Sequence, residues 1–218
     1  MYLPRFNVMP EPEVGAFLQA HPVAQLVTVG ADGVPDATLL PILIDSGGGV
    51  DRVVAHMARA NEHWRRIVDG SPALFVVAGP DAYVSPSWYA SKAEHGRVVP
   101  TWNYSAVHLS GPVTIHDDVD WVRAAVTRLT ERHEGERAAP WSVSDAPEKY
   151  VTGQLRAVVG IEMTIEKLEA KAKLSQNRSD ADRLGVIVGL REEPDPSDAW
   201  RAATAATMAA AMEEALEP

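Results

Sequence analysis

The chain has 218 residues, 46% hydrophobic and 23% charged, which is typical of one globular domain with or without appendages and excludes a disordered chain. No run of about 18 apolar residues predicts a membrane span, and the lack of cysteine excludes disulfides, thiolate catalysis and cysteine-ligated zinc. The net charge of −10 disfavours attraction to nucleic acid, and the first six residues lack a signal-peptide pattern, so we expect a cytoplasmic protein.

Short runs rich in β-branched residues recur along the chain, separated by turn signals such as Asp32-Gly33. The early connections are too short for crossover helices, so we expect an antiparallel meander. Pro41 predicts an edge or bulged position within the second run, and Gly79-Pro80-Asp81 predicts a turn after the fourth. Residues 98–103 and 106–116 predict one long, proline-interrupted strand region. The other predicted strands cover residues 24–29, 37–44, 52–57, 73–78, 82–86 and 158–165.

Helical periodicity and capping residues fall between and after these strands. The polar, proline-rich residues 191–198 predict a linker, and the alanine-rich residues 199–218 predict a C-terminal helix. Since the apolar face of that helix is mostly methyl groups, we expect it to dock weakly or fray. A meander with helical inserts predicts an α+β fold centred on a β-barrel. The other predicted helices cover residues 11–20, 61–68, 119–133 and 179–190.

Three parts of the sequence combine residue types that suit ligand binding. In 56–64 a strand end leads into a helix start, where backbone N–H groups and Arg59 would attract an anion, although a loop arginine is more often a solvated charge. The loop 83–89 collects proline, aromatic and hydroxyl side chains, which form either a packed corner or the wall of a planar-ligand pocket. Residues 99–104 and 173–178 offer a stacking face and many donors, or ordinary solvated turns.

Other common sites are absent from the sequence. There is no Gly-x-Ser-x-Gly elbow, no Walker A loop and no Gly-x-Gly-x-x-Gly fingerprint. The seven histidines show none of the spacings typical of metal ligands, so no metal site is predicted.

Taken together, these segments resemble the PaiB-type family of FMN-binding negative transcriptional regulators. The resemblance extends over roughly residues 1–190, and the alanine-rich tail lies outside it. The residues that carry it are Met1-Tyr2-Leu3-Pro4 with Phe6, His56-Met57-Ala58-Arg59-Ala60-Asn61 with Trp64, Tyr83-Val84-Ser85-Pro86-Ser87-Trp88-Tyr89, Pro100-Thr101-Trp102-Asn103-Tyr104 with His108 and Gly111, and Lys173-Leu174-Ser175-Gln176-Asn177-Arg178 with Asp182-Arg183 and Gly185.

The resemblance implies a split β-barrel of antiparallel strands with peripheral helices over residues 1–190, followed by the linker and the helix. It also implies a homodimer with FMN bound at the subunit interface. Arg59 and Asn61 would contact the FMN phosphate, and Thr38 and His56 would lie near the ribityl chain or the ring. Six further residues would contribute from the same site or across the dimer, namely Thr101, Trp102, Asn103, Lys173, Ser175 and Gln176.

One residue departs from the family pattern. Glu62 stands where the family is expected to have proline. A carboxylate turned toward a phosphate site would oppose binding by charge repulsion.

Three functions remain open at this stage. The family name implies a transcriptional regulator, yet the net charge of −10 and the lack of a helix-turn-helix pair or arginine-rich arm favour indirect action, through a protein partner or a small molecule, over direct DNA binding. The alternative is an FMN-dependent oxidoreductase or flavin reductase that uses a nicotinamide and a small molecule, with Tyr83, His108 and Lys173 as candidate residues. A third reading is a barrel that binds another planar ligand such as haem, with His56 or His108 as axial ligand.

Overall fold

A computed structural model describes residues 1–192 and 199–216 of the chain. These residues form two compact units. Unit 1 contains Met1–Phe17, Ala78–Val107 and the described residues from Glu169 onward. Unit 2 contains Leu18–Val77 and His108–Leu168. The predicted domain over 1–190 is thus divided between them, and most of the predicted linker, residues 193–198, lies outside the described residues.

Seven strands and seven α-helices occur in the described residues, and none of these helices is long and apolar enough to cross a membrane. The strands are β1 Val23–Val29, β2 Pro35–Asp45, β3 Arg52–Ala58, β4 Pro72–Val84, β5 Thr101–His116, β6 Val158–Thr164 and β7 Lys167–Lys173. The helices are α1 Glu11–Ala20, α2 His63–Arg66, α3 Ser91–His95, α4 Val119–Glu134, α5 Glu148–Leu155, α6 Asp180–Glu192 and α7 Ala199–Glu214.

The strands of unit 2 pair antiparallel in the order β4-β1-β2-β3-β6-β5. β2 pairs with β1 as far as Pro41, opposite Val23, and with β3 from Ile42, opposite Ala55. The strand therefore lies between two neighbours and not at an edge. Pro41 is tolerated because it stands where the pairing passes from one neighbour to the other.

The core of unit 2 is built from the alternate residues that the pleat turns inward. Leu26, Val53, Phe75, Val113 and Ile161 are all fully buried, one from each of five strands. A second cluster joins α4 to α5 through Val122, Val151 and Leu155. This packing fixes the strand ends that carry the polar residues described below.

In unit 1, β4 continues through Gly79-Pro80-Asp81, so the turn predicted there is wrong. The reason is local packing, since a Cβ on Gly79 would lie 2.6 Å from the ring of Phe17. Glycine at this position makes room for an aromatic ring of α1 and does not reverse the chain.

The C-terminal helix α7 packs firmly within unit 1, contrary to the expectation of weak docking. Its Met208 and Met212 are fully buried, and α7 lies along α6. Methionine is long and flexible enough to fill irregular gaps that a face of alanine methyl groups would leave open. Two methionines in the last turns thus supply the packing that composition alone did not predict.

Candidate functional site

Thr38 and Asn61 come together in unit 2 around the buried side chain of His63. The Thr38 hydroxyl on β2 lies 2.7 Å from His63 Nδ1 and accepts from Asn61 Nδ2 at 3.2 Å. On its other side, His63 Nε2 lies 2.8 Å from the hydroxyl of Thr28 on β1. Asn61 Oδ1 accepts from the backbone N–H of His63 at 3.0 Å. The result is a connected polar network at the start of α2.

The imidazole at the centre of this network is held neutral at ordinary pH. Burial lowers the pKa of His63. The nearby carboxylate of Asp36 opposes this effect, and the Arg66 guanidinium adds to it. His63 and Thr28 are both only 2% exposed, so solvent does not satisfy their polar atoms.

Helix α2 has only four residues, which changes how an anion would be bound here. The sequence predicted a longer helix over 61–68, whose N-terminal dipole would attract phosphate. A single turn contributes little dipole, so anion binding at this point depends on side-chain donors. Glu62, the departure from the family pattern, forms an ion pair with Arg65 on the helix surface.

Arg59 also lies in unit 2, but its guanidinium is largely committed to other protein groups. Nε donates to the carbonyl oxygen of Arg156 at 2.8 Å, and one terminal nitrogen donates to that of Val158 at 3.2 Å. Both terminal nitrogens donate to the carboxylate of Asp117. This contact lowers the pKa of Asp117 and raises that of Arg59. The indole N–H of Trp64 donates to the Arg59 carbonyl at 2.9 Å.

His56 lies on β3 directly opposite Gly160 of β6 and outside the hydrogen-bond network of His63. Its Nδ1 is buried and has no hydrogen-bond partner among the described residues. Burial lowers the pKa of His56, which favours the neutral ring. A buried nitrogen without a partner is consistent with a contact that a ligand completes.

The remaining predicted residues belong to unit 1, where Lys173 at the end of β7 meets the start of β5. Its Nζ donates to the Thr101 hydroxyl at 2.7 Å and to the carbonyl oxygen of Trp102. Burial lowers the pKa of Lys173, and the nearby charges of Lys171 and Arg178 lower it further. These three cations make this part of unit 1 electropositive.

Asn103 and Ser175 bind each other in the interior of unit 1. Asn103 Nδ2 and Oδ1 both lie 3.1 Å from the Ser175 hydroxyl, and Nδ2 also lies 3.3 Å from Met212 Sδ. Ser175 has a φ of 64°, a left-handed conformation that a short polar side chain tolerates when it is held by a hydrogen bond. The pair fixes the chain reversal after β7, and α7 covers it through Met212.

Gln176 and Trp102 complete the predicted set. Gln176 turns back on its own loop, where Oε1 accepts from the Leu174 N–H at 2.7 Å and Nε2 donates to the Ala172 carbonyl at 2.6 Å. Trp102 is 52% exposed, and its ring meets that of Tyr83 edge to face with centroids 6.0 Å apart. An aromatic ring so exposed offers a surface on which a planar ligand could stack.

Several residues that shape these clusters were not singled out in the sequence. His63 and Asp117 are partners of the predicted Thr38 and Arg59, Thr28 is the second partner of His63, and Lys171 strengthens the charge around Lys173. His63 and Thr38 are 25 positions apart in the chain, and Arg59 and Asp117 are 58 positions apart. No local spacing could reveal these pairs, because they depend on the register of β1, β2 and the end of β5.

Residues 1–167 match the model of a family described as "Putative FMN-binding domain". The "Protease synthase and sporulation protein PAI 2" of Bacillus subtilis is 32% identical over 218 residues, covering 100% of this chain and 99% of that protein. An uncharacterized protein of Aspergillus fumigatus is 35% identical over 159 residues, covering 66% of this chain and 60% of that protein.

Two solved structures show the same fold at low sequence identity. A conserved hypothetical protein of Mycobacterium tuberculosis has a TM-score of 0.58 at 14% identity and covers 82% of this chain and 94% of its own. An FAD and heme binding protein of Mycobacterium smegmatis has a TM-score of 0.56 at 20% identity, and the match covers 79% of this chain and 76% of that protein's chain. The predicted fold class, an α+β split β-barrel with antiparallel strands and peripheral helices, is confirmed.

Proposed function

The chain belongs to this FMN-binding domain family, and on that basis we propose that it binds FMN with the phosphate at the Thr38–Asn61 cluster of unit 2. Family membership confirms the predicted cofactor and the predicted PaiB-like family. The observation that carries the proposed site is the convergence of Thr38 and Asn61 on His63, because hydroxyl and amide donors are held there on a rigid, partly buried frame. The proposal therefore moves Thr38 from the ribityl chain or ring, where the resemblance implies it, to the phosphate beside Asn61.

The donor chemistry of unit 2 fits a phosphate group. A phosphate monoester needs several N–H or O–H donors and a nearby positive charge. Asn61 Nδ2 has a second proton beyond the one given to Thr38, and Arg59 retains a terminal N–H beyond its bonds to Asp117 and to backbone carbonyls. The orphaned Nδ1 of His56 is a further polar atom that the ribityl hydroxyls or the ring would satisfy.

For unit 1 considered by itself, we propose that the exposed and half-buried members of its cluster are able to contact FMN. Trp102 supplies a stacking surface, and Lys173 supplies a positive charge suited to the electron-rich pyrimidine edge of the flavin. Thr101 holds the Lys173 ammonium group. Asn103, Ser175 and Gln176 would act by fixing the strand ends, since their polar atoms are bonded within the chain. Bound FMN would supply a reversible electron acceptor.

The proposed biological role is that of a PaiB-type negative regulator acting as a homodimer. The full-length similarity to the Bacillus subtilis protein, whose name refers to protease synthesis and sporulation, supports it. The net charge of −10 favours action through a protein partner over direct contact with DNA. Sedimentation of the FMN-loaded chain tests the dimer, and a mass near that of one chain across the micromolar range would contradict it.

The alternative role, an FMN-dependent oxidoreductase, is separated from the regulator by one further observation. The FMN-loaded protein is mixed with NADH or NADPH without oxygen, and the flavin absorbance is followed. Bleaching at a rate well above that of free FMN supports an enzyme, whereas no acceleration supports a regulator.

The FMN proposal itself is tested by incubating the purified protein with FMN, desalting it and recording the visible spectrum. We expect wild type to retain flavin and the Arg59→Ala and Thr38→Val variants to lose most of it. Arg123→Ala is the matched control, because Arg123 forms a comparable exposed ion pair with Glu148 elsewhere in unit 2. Wild type without retained flavin would refute the proposal.

A further inference from the structure

The hydrogen bonds around Asn61 fix the orientation of its amide group. The backbone N–H of His63 can only donate, so the Asn61 atom 3.0 Å away must be the carbonyl oxygen. The amide nitrogen therefore faces Thr38, where it donates to the hydroxyl oxygen at 3.2 Å. One of the two lone pairs on the Thr38 oxygen is thereby used.

The position of the ring proton on His63 then determines whether the Thr38 hydroxyl can donate a hydrogen bond to a ligand. If Nδ1 carries the proton, it donates to Thr38 and uses the second lone pair, and the hydroxyl proton of Thr38 is left over. If Nδ1 is bare, Thr38 must donate its proton to the ring, and only a lone pair remains. A phosphate oxygen accepts a hydrogen bond from the first arrangement and is repelled by the lone pair of the second.

Thr28 can pair with either tautomer, because its hydroxyl accepts from a protonated Nε2 or donates to a bare one. Its hydroxyl is buried and lies 2.8 Å from His63 Nε2. When Thr28 donates to Nε2, the ring proton must be on Nδ1. Proton donation then runs in one direction, from Thr28 to His63, from His63 to Thr38, and from Thr38 outward.

We propose that His63 is a positioning residue which, as the Nδ1–H tautomer that accepts from Thr28, turns the Thr38 hydroxyl proton toward the FMN phosphate. This inference rests on the proposed function, in which Thr38 contacts that phosphate. His63 and Thr28 do not touch the ligand and act only through Thr38.

The chain of hydrogen bonds from Thr28 through His63 to Thr38 is called the relay below. Two pairs of variants, at His63 and at Thr28, test it. The amide of Asn stands near the place of His Nδ1 and still donates to Thr38, whereas the amide of Gln stands near Nε2 and does not. We expect His63→Asn to keep FMN affinity close to wild type and His63→Gln to weaken it about tenfold, the effect of one hydrogen bond to a charged acceptor. Thr28→Val should weaken it in the same direction, and Thr28→Ser should restore it.

The tautomer of the His63 ring can be measured directly, and a purely structural role of His63 would not require a particular tautomer. Long-range proton–nitrogen NMR on histidine-labelled protein, with the His63 signals assigned by their loss in His63→Asn, reports the tautomer with and without FMN. We expect Nδ1–H in wild type and in Thr28→Ser, and a shift toward Nε2–H in Thr28→Val.

The outcomes separate this inference from the FMN proposal. If wild type retains no flavin, the proposed function fails and the relay fails with it. If wild type retains flavin but its His63 is the Nε2–H tautomer, or if His63→Gln binds FMN as well as His63→Asn does, only the relay is overturned. Folding of each variant is checked by its unfolding transition, and the wild-type NMR result decides the tautomer even if a variant does not fold.

Discussion

Arg59 and Asp117 form a two-point ion pair in unit 2, with both terminal guanidinium nitrogens donating to the two carboxylate oxygens. The arginine comes directly after β3, and the aspartate follows the end of β5, 58 positions later in the chain. The carboxylate orients the guanidinium but also neutralises the positive charge that would attract a phosphate. Asp117 therefore competes with the proposed ligand.

We expect Asp117→Asn to tighten FMN binding. The neutral amide still accepts one hydrogen bond from Arg59 and no longer cancels its charge. Because the pair is exposed, the gain should be modest, about threefold to fivefold. Titration of the desalted protein with FMN, followed by flavin fluorescence, measures it.

Two controls belong to this prediction. The same change in an Arg59→Ala background leaves only the direct repulsion between Asp117 and the phosphate, so it separates that repulsion from the cancelled charge of Arg59. Glu148→Gln, which neutralises the partner of Arg123, should leave the affinity unchanged. Weaker binding by Asp117→Asn would mean that orientation of Arg59 matters more than its charge.

Gly111 lies in β5 where this strand passes the end of β6, and it cannot carry a side chain. A Cβ at this position would lie 1.9 Å from the backbone carbonyl oxygen of Thr164. We expect Gly111→Ala to lower the free energy of unfolding by about 3 kcal/mol or more, because backbone cannot move aside cheaply. Urea unfolding of wild type and variant measures the difference.

Gly153 provides the matched control in the same unit. It lies in α5, and a Cβ there would meet nothing within 4 Å. Gly153→Ala should therefore raise the free energy of unfolding by about 0.5–1 kcal/mol, the helix-propensity difference between the two residues. Equal effects of the two substitutions would show that the close approach at Gly111 is not a constraint on folding.

Most of the strands could be predicted from the sequence because β-branched runs and turn residues are local signals. β1, β2, β3 and β6 lie within a few residues of their predicted bounds. β4 was split in error at Gly79-Pro80-Asp81, where glycine serves packing. β7 was missed, since its sequence Lys-Leu-Glu-Ala-Lys-Ala-Lys has the composition of a helix and becomes a strand through its tertiary neighbours.

The candidate site could be predicted only in part, for a different reason. The family resemblance implies Thr38 and Asn61 as site residues, and a hydrogen bond joins them in the structure. His63, which links them to Thr28, is not predicted, because no local pattern shows which face of a four-residue helix turns inward. The engagement of Arg59 by Asp117 depends equally on strand register. Contacts of this kind are set by the tertiary structure, so no fixed spacing in the sequence predicts them.

Asp182 is a buried carboxylate whose charge should stabilise unit 1 only above acid pH. Burial alone would raise the pKa of Asp182, but hydrogen bonds from the Ser91 N–H and hydroxyl, both 2.9 Å, and the charge of Arg178 together lower it. A lowered pKa contributes stability above the ordinary value of 3.8, and this contribution is lost as the pH falls through the lower folded value.

We expect Asp182→Asn to lose about 3 kcal/mol of unfolding free energy at neutral pH, since its amide cannot accept both bonds from Ser91. Its stability should also depend less on pH below 3.8 than that of wild type. Asp180→Asn is the control, because Asp180 lies in the same turn but is 85% exposed. Urea unfolding between pH 2.5 and 7 measures both, and parallel curves for Asp182→Asn and wild type would contradict the sign argued here.

Lys173 should lose its proton at a lower pH than an ordinary lysine, because burial and the charges of Lys171 and Arg178 all lower its pKa from 10.5. Only the neutral amine reacts with acylating reagents, so acylation of Lys173 should begin at a lower pH than that of an ordinary lysine. The exposed Lys92 serves as the internal reference. Arg178→Gln removes one of the two cations that repel its proton and should move the labelling profile of Lys173 to higher pH. Peptide mass spectrometry after brief acetylation at a series of pH values follows both lysines in one sample. FMN should protect Lys173 and leave Lys92 unchanged, while protection of neither would remove Lys173 from the proposed contacts.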